Sequence, residues 1–440
     1  MAVKSIRQWQ YYVSSAQLTV SGRSYNIPQE RFKSFEITED YEGYIFPLFK
    51  MTVVLEPSRY YMVLEHKDDC YFNLNIRKRY TNPGSQSTRG DSEFINGRFE
   101  AIIDDNVADT QYMDKLYASN KNYRNMVNKD ISDLQATSNV VEFYLFKHTI
   151  IQSFKEQNIN VLFKEATVAD GIGYLFKKAG INNVLFAPPD NTNRYEFFLI
   201  PPSTILKSFT YIDAYYGIYK SGSLIFFGIE KSFIIPYSSR CEVYEKDGIQ
   251  EIWITVPSSS TTDITNATSL GECIQEGGGI ARTFTCDQKM IQIYDDEKSN
   301  DYIAGNDASI YEPITGEYST SSNSSSSSGN AKTYVRLLEN LTENKYIGTM
   351  YIARSSGNSI TLSVPFEDID ASVFTPNKKY KLTFNDSKIL YTMKNSQKRK
   401  ANNKYAVNFD YFMLSKIEHK FINSGSSFLL NSVGYFKYPV

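Results

Sequence analysis

The side chains that most often do chemistry form no catalytic pattern in this chain. Its 3 histidines are His66, His148 and His419, and none of them stands in an HExxH motif or at the spacing of a metal-ligand pair. A single histidine without a partner is a weak indication of a base or a ligand. We therefore expect each histidine to be an ordinary structural or exposed side chain.

Acidic side chains are the second possible source of chemistry. A glycoside hydrolase needs two carboxylates held several ångströms apart across a bound sugar, and separate strands could supply such a pair. The sequence contains three acidic groups of this kind: Asp104-Asp105, Asp295-Asp296 and FEDID (366–370). Nothing in their surroundings distinguishes them from solvated loops. Cys70 follows two aspartates, whose charge disfavours a reactive thiolate.

Glycine and cysteine patterns add no site. The GGG at 277–279 lacks the GK[ST] of a phosphate-binding loop, and Gly171 and Gly173 lie in a helical pattern without a third glycine. The 4 cysteines contain no CxxC pair, which argues against a disulfide framework or a zinc site and fits assembly in a reducing cytoplasm: Cys70, Cys241, Cys273 and Cys286. We predict no catalytic, cofactor-binding or metal-binding residues, no cofactor and no enzymatic activity.

Composition and charge narrow the class of protein. At 440 residues the chain is long enough for two to four domains. It has 34 Tyr and 28 Phe but only 2 Trp, and Tyr and Phe favour strands and large buried surfaces. The N-terminus has no signal-peptide core, and no apolar run approaches the ~20 residues of a membrane helix. We expect a soluble, β-rich protein that does not contact a membrane.

Two short basic clusters, at 77–79 and 398–400, could bind phosphates. The net charge of −2 gives no global attraction for nucleic acid or an anionic membrane. Exposed charge runs are common at strand ends and in loops. We therefore interpret Arg77-Lys78-Arg79 and Lys398-Arg399-Lys400 as solvated strand ends or loops.

The first region, 1–110, has the period-two pattern of antiparallel strands. Apolar side chains alternate in 49–55, which ends before Pro57, and again in 72–76. NPGSQSTRGDSE (82–93) is typical of a long loop, and RFEAIID (98–104) of a returning strand. A small barrel or sandwich is the natural closure for such strands.

The middle region, 111–240, mixes strands and helices. VVEFYLFKHTI (140–150) predicts an apolar strand. ATVADGIGYLFKKAG (166–180) predicts a helix with Thr167 as N-cap, Asp170 in a capping box and Gly180 at its end. The apolar positions of this helix form one stripe: Val168, Ile172, Leu175 and Ala179.

A second helix is predicted in IPPSTILKSFTYIDAYYGIYKSGSLIFFG (200–228). Pro201 and Pro202 suit a first helical turn, Ser203 or Thr204 can cap it, and Gly217 can end it. Its apolar positions recur at spacings of four, three and four: Ile205, Phe209, Ile212 and Tyr216. The run 223–227 then predicts a buried strand, so the unit indicates a scaffold rather than an active site.

The third region, 241–440, returns to strands. The segments with strand composition are EIWITVP (251–257), KMIQIYD (289–295), YIGTMYIA (346–353), SITLSVPF (359–366) and KKYKLTF (378–384). The serine-rich tract at 315–332 is too polar to pack and predicts a flexible loop.

Three stretches together resemble the hub proteins of phage tail baseplates. FKSFEITEDYEGYIFPLFKMTVVLE (32–56) resembles the opening of that family's first barrel. The segment 166–227, with its T-x-x-D helix and its I-P-P-x-T-x-L helix ending in Y-G-x-Y, is similar to the family's middle module. NKYIGTMYIARSSGNSITLSVPFEDIDASVFTPNKKYKLTF (344–384) looks like the second barrel. The N-terminal part of type VI spike proteins is related to the same family.

The resemblance implies a mainly β protein with a smaller α/β part. It would have two antiparallel tube-like β-barrel domains, at 1–110 and 241–440, flanking a mixed α/β connector domain at 111–240. Members form homotrimers whose six barrels match the hexameric tail tube. Such a hub sits in the virion tail baseplate, is assembled in the host cytoplasm and serves host cell entry.

The resemblance also implies a set of partners. They are the tail tube protein, the central spike, other baseplate proteins and the tape measure protein, while DNA only passes through the lumen. A lumen that passes DNA should avoid basic side chains, so we expect both basic clusters to face away from the bore.

Three alternatives stay open. The protein could be another inert tail part, such as a distal-tail, tube-adaptor or wedge protein, present in six copies rather than three. It could be a tail-associated glycan hydrolase with acids from separate strands. It could also be a carbohydrate-binding module that stacks sugars on tyrosines, although its 2 tryptophans are few for that role.

Overall fold

A computed structural model describes residues 4–81, 88–103, 139–156, 158–243, 360–384 and 412–438. It also describes short strands between 251 and 335, together with residues 344, 346 and 350. The elements before residue 148 are β1 (Lys4–Val20), β2 (Arg23–Asn26), β3 (Phe32–Asp40), β4 (Leu48–Leu55), α1 (Pro57–Glu65), β5 (Cys70–Thr81), β6 (Thr88–Ile103) and β7 (Asn139–Lys147).

Helices concentrate in the part that follows. Its elements are α2 (His148–Glu156), β8 (Asn158–Thr167), α3 (Val168–Ala179), β9 (Val184–Phe186), β10 (Arg194–Thr204), α4 (Ile205–Tyr215), β11 (Ser223–Phe227) and β12 (Ser232–Pro236). Short 3-10 turns lie at Gln29–Arg31, Arg240–Glu242 and Ala371–Val373.

Strands again dominate after residue 250. They are β13 (Glu251–Val256), β14 (Glu272–Gln275), β15 (Arg282–Thr285), β16 (Gln292–Asp295), β17 (Asp307–Glu312), β18 (Glu317–Ser322), β19 (Lys332–Val335), β20 (Ile360–Glu367), β21 (Lys379–Phe384), β22 (Met413–Asn423) and β23 (Phe428–Tyr438). The expectation of a mainly β protein with a smaller helical part is confirmed.

Eight antiparallel strands close into a barrel in the order β1–β5–β6–β7–β4–β3–β22–β23. The ring closes where β23 returns to β1 and Phe428 pairs with Tyr11. Closure removes the free edges that an open sheet would expose. The strands come from all three predicted regions, because β7 lies at 139–147 and the last two strands lie after residue 412.

Aromatic side chains fill the barrel. Phe35 stacks on Phe421 with ring centroids 4.2 Å apart, and Tyr11 meets Phe421 edge-on at 4.8 Å. On the other side, Phe72 meets Phe143 at 5.2 Å. The period-two pattern read from 49–55 is confirmed, since alternate residues of β4 are buried. The interior is therefore a packed core, which accounts for part of the Tyr and Phe excess.

The ladder of the barrel strands continues into further strands of the same 15-stranded sheet. The first residues of β1 pair with β14, which leads through β15 and β13 to β21. On the other side β23 pairs with β20, and β20 pairs with β16. Tyr380 of β21 bridges to Phe412, next to β22. One barrel closes within the described residues, and the predicted second barrel stays a proposal.

The helical part packs around two small sheets. β8 pairs with β10, while β11, β12 and β9 form a second sheet. α3 has the predicted capping box between Thr167 and Asp170 and ends at Gly180 with a φ of 64°. α4 has the predicted apolar stripe buried, and Thr204 caps it by accepting from the Lys207 N–H. Both helices are therefore confirmed.

Pro201 and Pro202 do not open α4, contrary to the sequence prediction. They belong to β10, at a bulge in its pairing with β8 between Ile200 and Ser203. A bulge accommodates prolines because their missing N–H groups are not needed for the ladder. Gly217 lies just beyond the helix at a φ of 72°, where a Cβ would collide with Asn344.

Two strand boundaries were predicted wrongly. β6 begins at Thr88, so the whole described part of the predicted 82–93 loop, residues 88–93, is strand. This part pairs with the charged end of β5, and Arg77 lies 2.9 Å from Asp91. The predicted 140–150 strand ends at Lys147, and helix α2 follows. In addition, Pro57 was read only as the end of a strand, whereas it opens helix α1.

Two further predictions in the last region were wrong in their described residues. Met350 donates its N–H to the Tyr346 carbonyl at 2.9 Å, a helical rather than a strand bond. Within the serine-rich tract, β18 pairs with β17, because backbone hydrogen bonds can hold a strand that has no apolar face. Residues 323–331 lie outside the described residues.

Candidate functional site

Lys78 is buried at one end of the barrel, which corrects the prediction of a solvated 77–79 cluster. It follows Phe72, Leu74 and Ile76 on the inward face of β5 and is 8% exposed. Its Nζ donates to the Asp370 carboxylate at 2.6 Å and to the Ser372 hydroxyl at 2.5 Å. Because the carboxylate is equally buried, the ammonium has a desolvated counterion. The sequence suggested that the acids of FEDID are solvated, but Asp370 is buried.

The segment 368–373 is tied across this end of the barrel. The Tyr11 hydroxyl donates to the Ile369 carbonyl at 2.9 Å and accepts from the Ala371 N–H at 2.8 Å. The backbone N–H of Trp9 donates to the backbone carbonyl of Asp368 at 2.9 Å. The Trp9 ring also lies 5.1 Å from the Lys78 Nζ, within the range of a cation–π contact. We call Lys78, Asp370, Ser372, Tyr11 and Trp9 the barrel-end cluster.

His419 lies next to this cluster inside the barrel. Its Nδ1 is 2.8 Å from the Ser432 hydroxyl, and the side chain is 5% exposed. Burial lowers its pKa to about 3, although the Asp370 charge opposes the shift. The imidazole is therefore neutral near pH 7 and enclosed by the core. This arrangement suits a structural histidine.

The other histidines and Cys70 also fit structural roles. His148 Nδ1 lies 3.0 Å from Glu100 Oε1, at the start of α2, and His66 is exposed at the end of α1. The Cys70 thiol donates to the His66 carbonyl at 3.1 Å. Burial, with the charges of the two preceding aspartates, raises the pKa of this thiol to about 12. The thiol is therefore protonated near pH 7, in agreement with the expectation that its acidic neighbours disfavour a thiolate.

A second buried cluster surrounds Arg240, which no local sequence pattern had indicated. The residue is 0% exposed, and its Nη2 donates to the Leu414 carbonyl at 3.0 Å and to Glu42 at 3.3 Å. Glu42 also accepts from Lys437 at 3.1 Å. Burial opposes the ionisation of Glu42, but Arg240 and Lys437 hold its pKa below the usual value.

The Arg240 cluster contains two imperfections. The Nε and Nη1 of Arg240 are buried without a hydrogen-bond partner. Nearby, burial raises the pKa of Glu39 to about 7, although the Tyr41 hydroxyl donates to its carboxylate at 2.5 Å. Tyr41 in turn packs edge-on against Phe226 of β11 at 4.8 Å. The cluster therefore joins the barrel to the helical part.

The outer face of β7, β4, β3 and β22 carries lysines that are matched by glutamates. The three ion pairs each have a nitrogen–oxygen distance of 2.6 Å: Lys50–Glu142, Lys420–Glu36 and Lys416–Glu418. Strand pairing brings together Lys50 with Glu142 and Lys420 with Glu36, whereas Lys416 and Glu418 lie two residues apart on one side of β22. We call this surface the paired-charge face.

The remaining candidates are not brought together. Gly171 of helix α3 packs against Phe198 of β10. Asp295 is the last residue of strand β16. Asp104-Asp105, the GGG at 277–279 and the basic cluster at 398–400 lie outside the described residues. Among the residues that are described, no group of three or more His, Cys, Asp or Glu side chains could hold a metal. In the same part of the chain, no helix has the length and apolarity of a membrane span.

The chain matches a protein family over most of its length. The model of the bacteriophage PBS1 gene 109 protein family covers residues 1–411. The chain belongs to this family. Membership confirms the predicted relation to phage proteins, whereas no curated protein matches the chain.

Solved structures similar to this gene 109 family member are tail and secretion proteins. The tail protein from Neisseria meningitidis MC58 is 10% identical, with 98% of this chain and 97% of that chain covered and a TM-score of 0.45. The 43 kDa tail protein of prophage MuSo2 from Shewanella oneidensis is 9% identical, with 97% of both chains covered and a TM-score of 0.47.

A type VI protein is among the similar structures as well. The E. coli c3393 protein is described as a type VI secretion component with structural similarity to the T4 bacteriophage tail proteins gp27 and gp5. It is 8% identical, with 96% of this chain and 76% of that chain covered and a TM-score of 0.39.

Proposed function

We propose that this protein is a baseplate hub, a structural virion protein that adapts the hexameric tail tube to the trimeric central spike. The observation that carries the proposal is that β1 and β23, which close the barrel, also pair with strands outside it, β14 and β20. Strands that belong to both parts of this sheet hold them as one body by covalent bonds and by ladder hydrogen bonds. If each chain carries two tube-like units that are rigidly joined, a trimer presents six such units to the hexameric tail tube.

The strands of this sheet that lie outside the closed barrel form the proposed second barrel. They are β13–β16, β20 and β21, together with the ends of β1 and β23. We keep the division of the chain at 1–110, 111–240 and 241–440, with two qualifications. β7 serves the first barrel from within the middle region, and β22 and β23 serve it from within the last one. The remaining middle region, with its helices, is the connector on the outside of the ring.

The paired-charge face is suited to line the bore. DNA binds surfaces on which Lys and Arg are free to neutralise phosphates and release counterions. On this face Lys50, Lys416 and Lys420 each lie 2.6 Å from a glutamate, which offsets their positive charge toward DNA. The basic cluster at 398–400 is expected to face away from the bore, as is Arg77 of β5.

The hub role carries a set of partners with it. The protein is proposed to be a homotrimer that contacts the tail tube protein, the central spike and other baseplate proteins, with the tape measure protein as a further contact. It would reside in the virion tail baseplate after assembly in the host cytoplasm, and it would serve host cell entry without enzymatic activity. DNA would only pass through its lumen.

Imaging of the tail down its axis tests the proposal. Three copies, each contributing two barrels to one ring, are the expected result. Six copies with one barrel each would instead make the protein a tube or distal-tail adaptor and overturn the hub role. A cell-wall digestion assay on the purified protein, with lysozyme as positive control, is expected to show no activity. Digestion would favour the glycan hydrolase.

A further inference from the structure

The ribbon of β8 and β10 has one covered edge and one open edge. On the β10 side, the Leu199 N–H donates to the Tyr216 hydroxyl at 2.8 Å, and the same hydroxyl donates to the Leu199 carbonyl at 3.2 Å. Tyr216 is buried and stacks on Phe198 with centroids 4.2 Å apart. The edge of β10 at Leu199 is thus satisfied within the fold.

The geometry of the ladder shows which groups β8 presents on its other edge. Leu199 is paired with Leu162, and its own N–H and carbonyl point away from β8 toward Tyr216. This is therefore a non-hydrogen-bonded pair, in which both residues direct their backbone groups outward. Period two extends the same orientation to Asn160 and Lys164. Among the described residues, β8 pairs only with β10, so these groups have no ladder partner on this side.

A cleft lies beside one end of β8. It has a volume of about 620 Å³ and lies between the first residues of β8 and the end of α3. Two neighbouring lysines, Lys177 and Lys178, line it together with Tyr174, and the Lys178 Nζ lies 5.8 Å from the Tyr174 ring. The side of the cleft that faces α3 is therefore basic.

The opposite face of the ribbon is apolar and exposed. Leu162 is 60% exposed, Phe197 58% and Leu199 42%. Large apolar side chains gathered on one exposed face are typical of an interaction site. A strand added to β8 would alternate its side chains between this apolar face and the basic cleft.

We propose that the open edge of β8 receives an extended segment of a partner protein as a third strand. Its acidic side chains lie toward Lys177 and Lys178, and its apolar side chains lie beside Leu162. Main-chain hydrogen bonds supply affinity in strand addition, and the alternating side chains supply specificity. A second copy of β8 fits less well, because it would bring its own Lys164 to an edge that is already basic. The inference does not depend on the proposed ring.

Two labelled ten-residue peptides test the proposal on the full chain, one alternating Glu and Val and the other alternating Lys and Val. Fluorescence anisotropy is expected to show the acidic peptide binding at least about tenfold more tightly, with the preference weakening at high salt. Hydrogen exchange at Asn160, Leu162 and Lys164 is expected to slow when the acidic peptide binds. Equal binding of the two peptides, or unchanged exchange, would overturn the proposal.

Leu162→Pro removes one outward N–H that the fold does not use, and edge strands tolerate proline. We expect this variant to keep the unfolding midpoint within a few degrees and to lose about tenfold or more in peptide affinity. Undiminished binding by the folded variant would refute strand addition. If the free protein self-associates and the proline variant does not, the edge belongs to a second copy and the proposal is wrong.

Charge reversal provides a test that does not rely on proline. Lys177→Glu with Lys178→Glu is expected to invert the preference between the two peptides by about tenfold. The control with the same net charge change is Lys33→Glu with Lys67→Glu, at exposed residues outside the cleft, and it should bind like the unaltered protein. A similar loss in both double variants would refute the assigned site.

Discussion

The barrel-end cluster and the Arg240 cluster both bury a cation, but they satisfy it to different degrees. The Lys78 ammonium donates to a carboxylate and a hydroxyl, and its partner segment is tied by further bonds to Tyr11. The Arg240 guanidinium is more deeply buried, yet two of its nitrogens find no partner. Burial depth alone therefore does not indicate how much an ion pair stabilises the fold.

The two clusters also differ in the sign of their response to pH. The barrel-end cluster adjoins a histidine that burial keeps neutral, with a pKa of about 3. The Arg240 cluster adjoins Glu39, whose pKa burial raises to about 7. Acid is therefore expected to act on the first region through His419, and base on the second region through Glu39.

The largest expected effect comes from removing one partner of the well-satisfied pair. Asp370→Ala leaves the Lys78 ammonium buried without its counterion, so we expect a loss of about 3–5 kcal/mol in the free energy of unfolding. Urea unfolding measures it. The double variant Lys78→Met with Asp370→Leu is expected to recover most of the loss, because it leaves no unpaired charge. If the single variant lost under 1 kcal/mol, the pair would not hold the barrel end.

Acidification should unfold the protein through His419. Its pKa is lowered to about 3 in the fold from an ordinary 6.5, so the unfolded state binds the proton first as pH falls through this window. We expect this difference in proton binding to lower the free energy of unfolding by about 3 kcal/mol between pH 7 and pH 4. The variant His419→Leu with Ser432→Ala should remove this part of the pH dependence, whereas His66→Leu should keep it. An unchanged slope in the first variant would contradict the assignment.

Raising the pH should weaken the Arg240 region through Glu39. Its pKa is raised to about 7 from 4.5, so the folded state holds a proton that the unfolded state has already released. That stabilisation is complete below pH 4.5 and is lost as pH rises through 7, which corresponds to about 2.5 kcal/mol between pH 5 and pH 8. Glu39→Gln should flatten this slope in urea unfolding, and Glu65→Gln at an exposed position should not. A slope that survives Glu39→Gln would place the titrating group elsewhere.

The smallest effect is expected at Arg240 itself. Arg240→Met removes two buried donors that lack partners, and Glu42 keeps Lys437 as a counterion. The removal of the two unpartnered donors nearly offsets the loss of the hydrogen bonds to Leu414 and Glu42. We therefore expect the free energy of unfolding in urea to fall by only about 1 kcal/mol. Lys78→Met alone, which strands the Asp370 carboxylate, is the matched comparison and should cost clearly more. If Arg240→Met proved the costlier change, the contrast between the two clusters would be reversed.

Local patterns predicted the helices well, because their signals lie within a few residues. Thr167 and Asp170 form the capping box that the sequence indicated, and Gly180 ends the helix. Pro201 and Pro202 suit both a first helical turn and a strand bulge, so their position before α4 led to a wrong prediction. The pairing of β10 with β8 decides in favour of the bulge. Strand pairing lies beyond the reach of a local pattern.

The buried clusters could not be predicted for the same reason. Lys78 and Asp370 are 292 residues apart in sequence, and Arg240 and Leu414 are 174 residues apart. Each of these side chains is ordinary in its local context. The barrel was expected as a shape, but its closure by strands from the end of the described chain depends on contacts that no periodicity encodes.

The pairing of Tyr11 with Phe428 has a consequence for how the chain is made. A ribosome delivers β1 first and β23 after some four hundred further residues, so the aromatic interior cannot be enclosed before β23 has been made. Contacts between distant residues slow folding and leave apolar surface exposed in the meantime. The barrel therefore has to close after β23 has left the ribosome, and until then the aromatic side chains of the earlier strands stay open to contact with other chains.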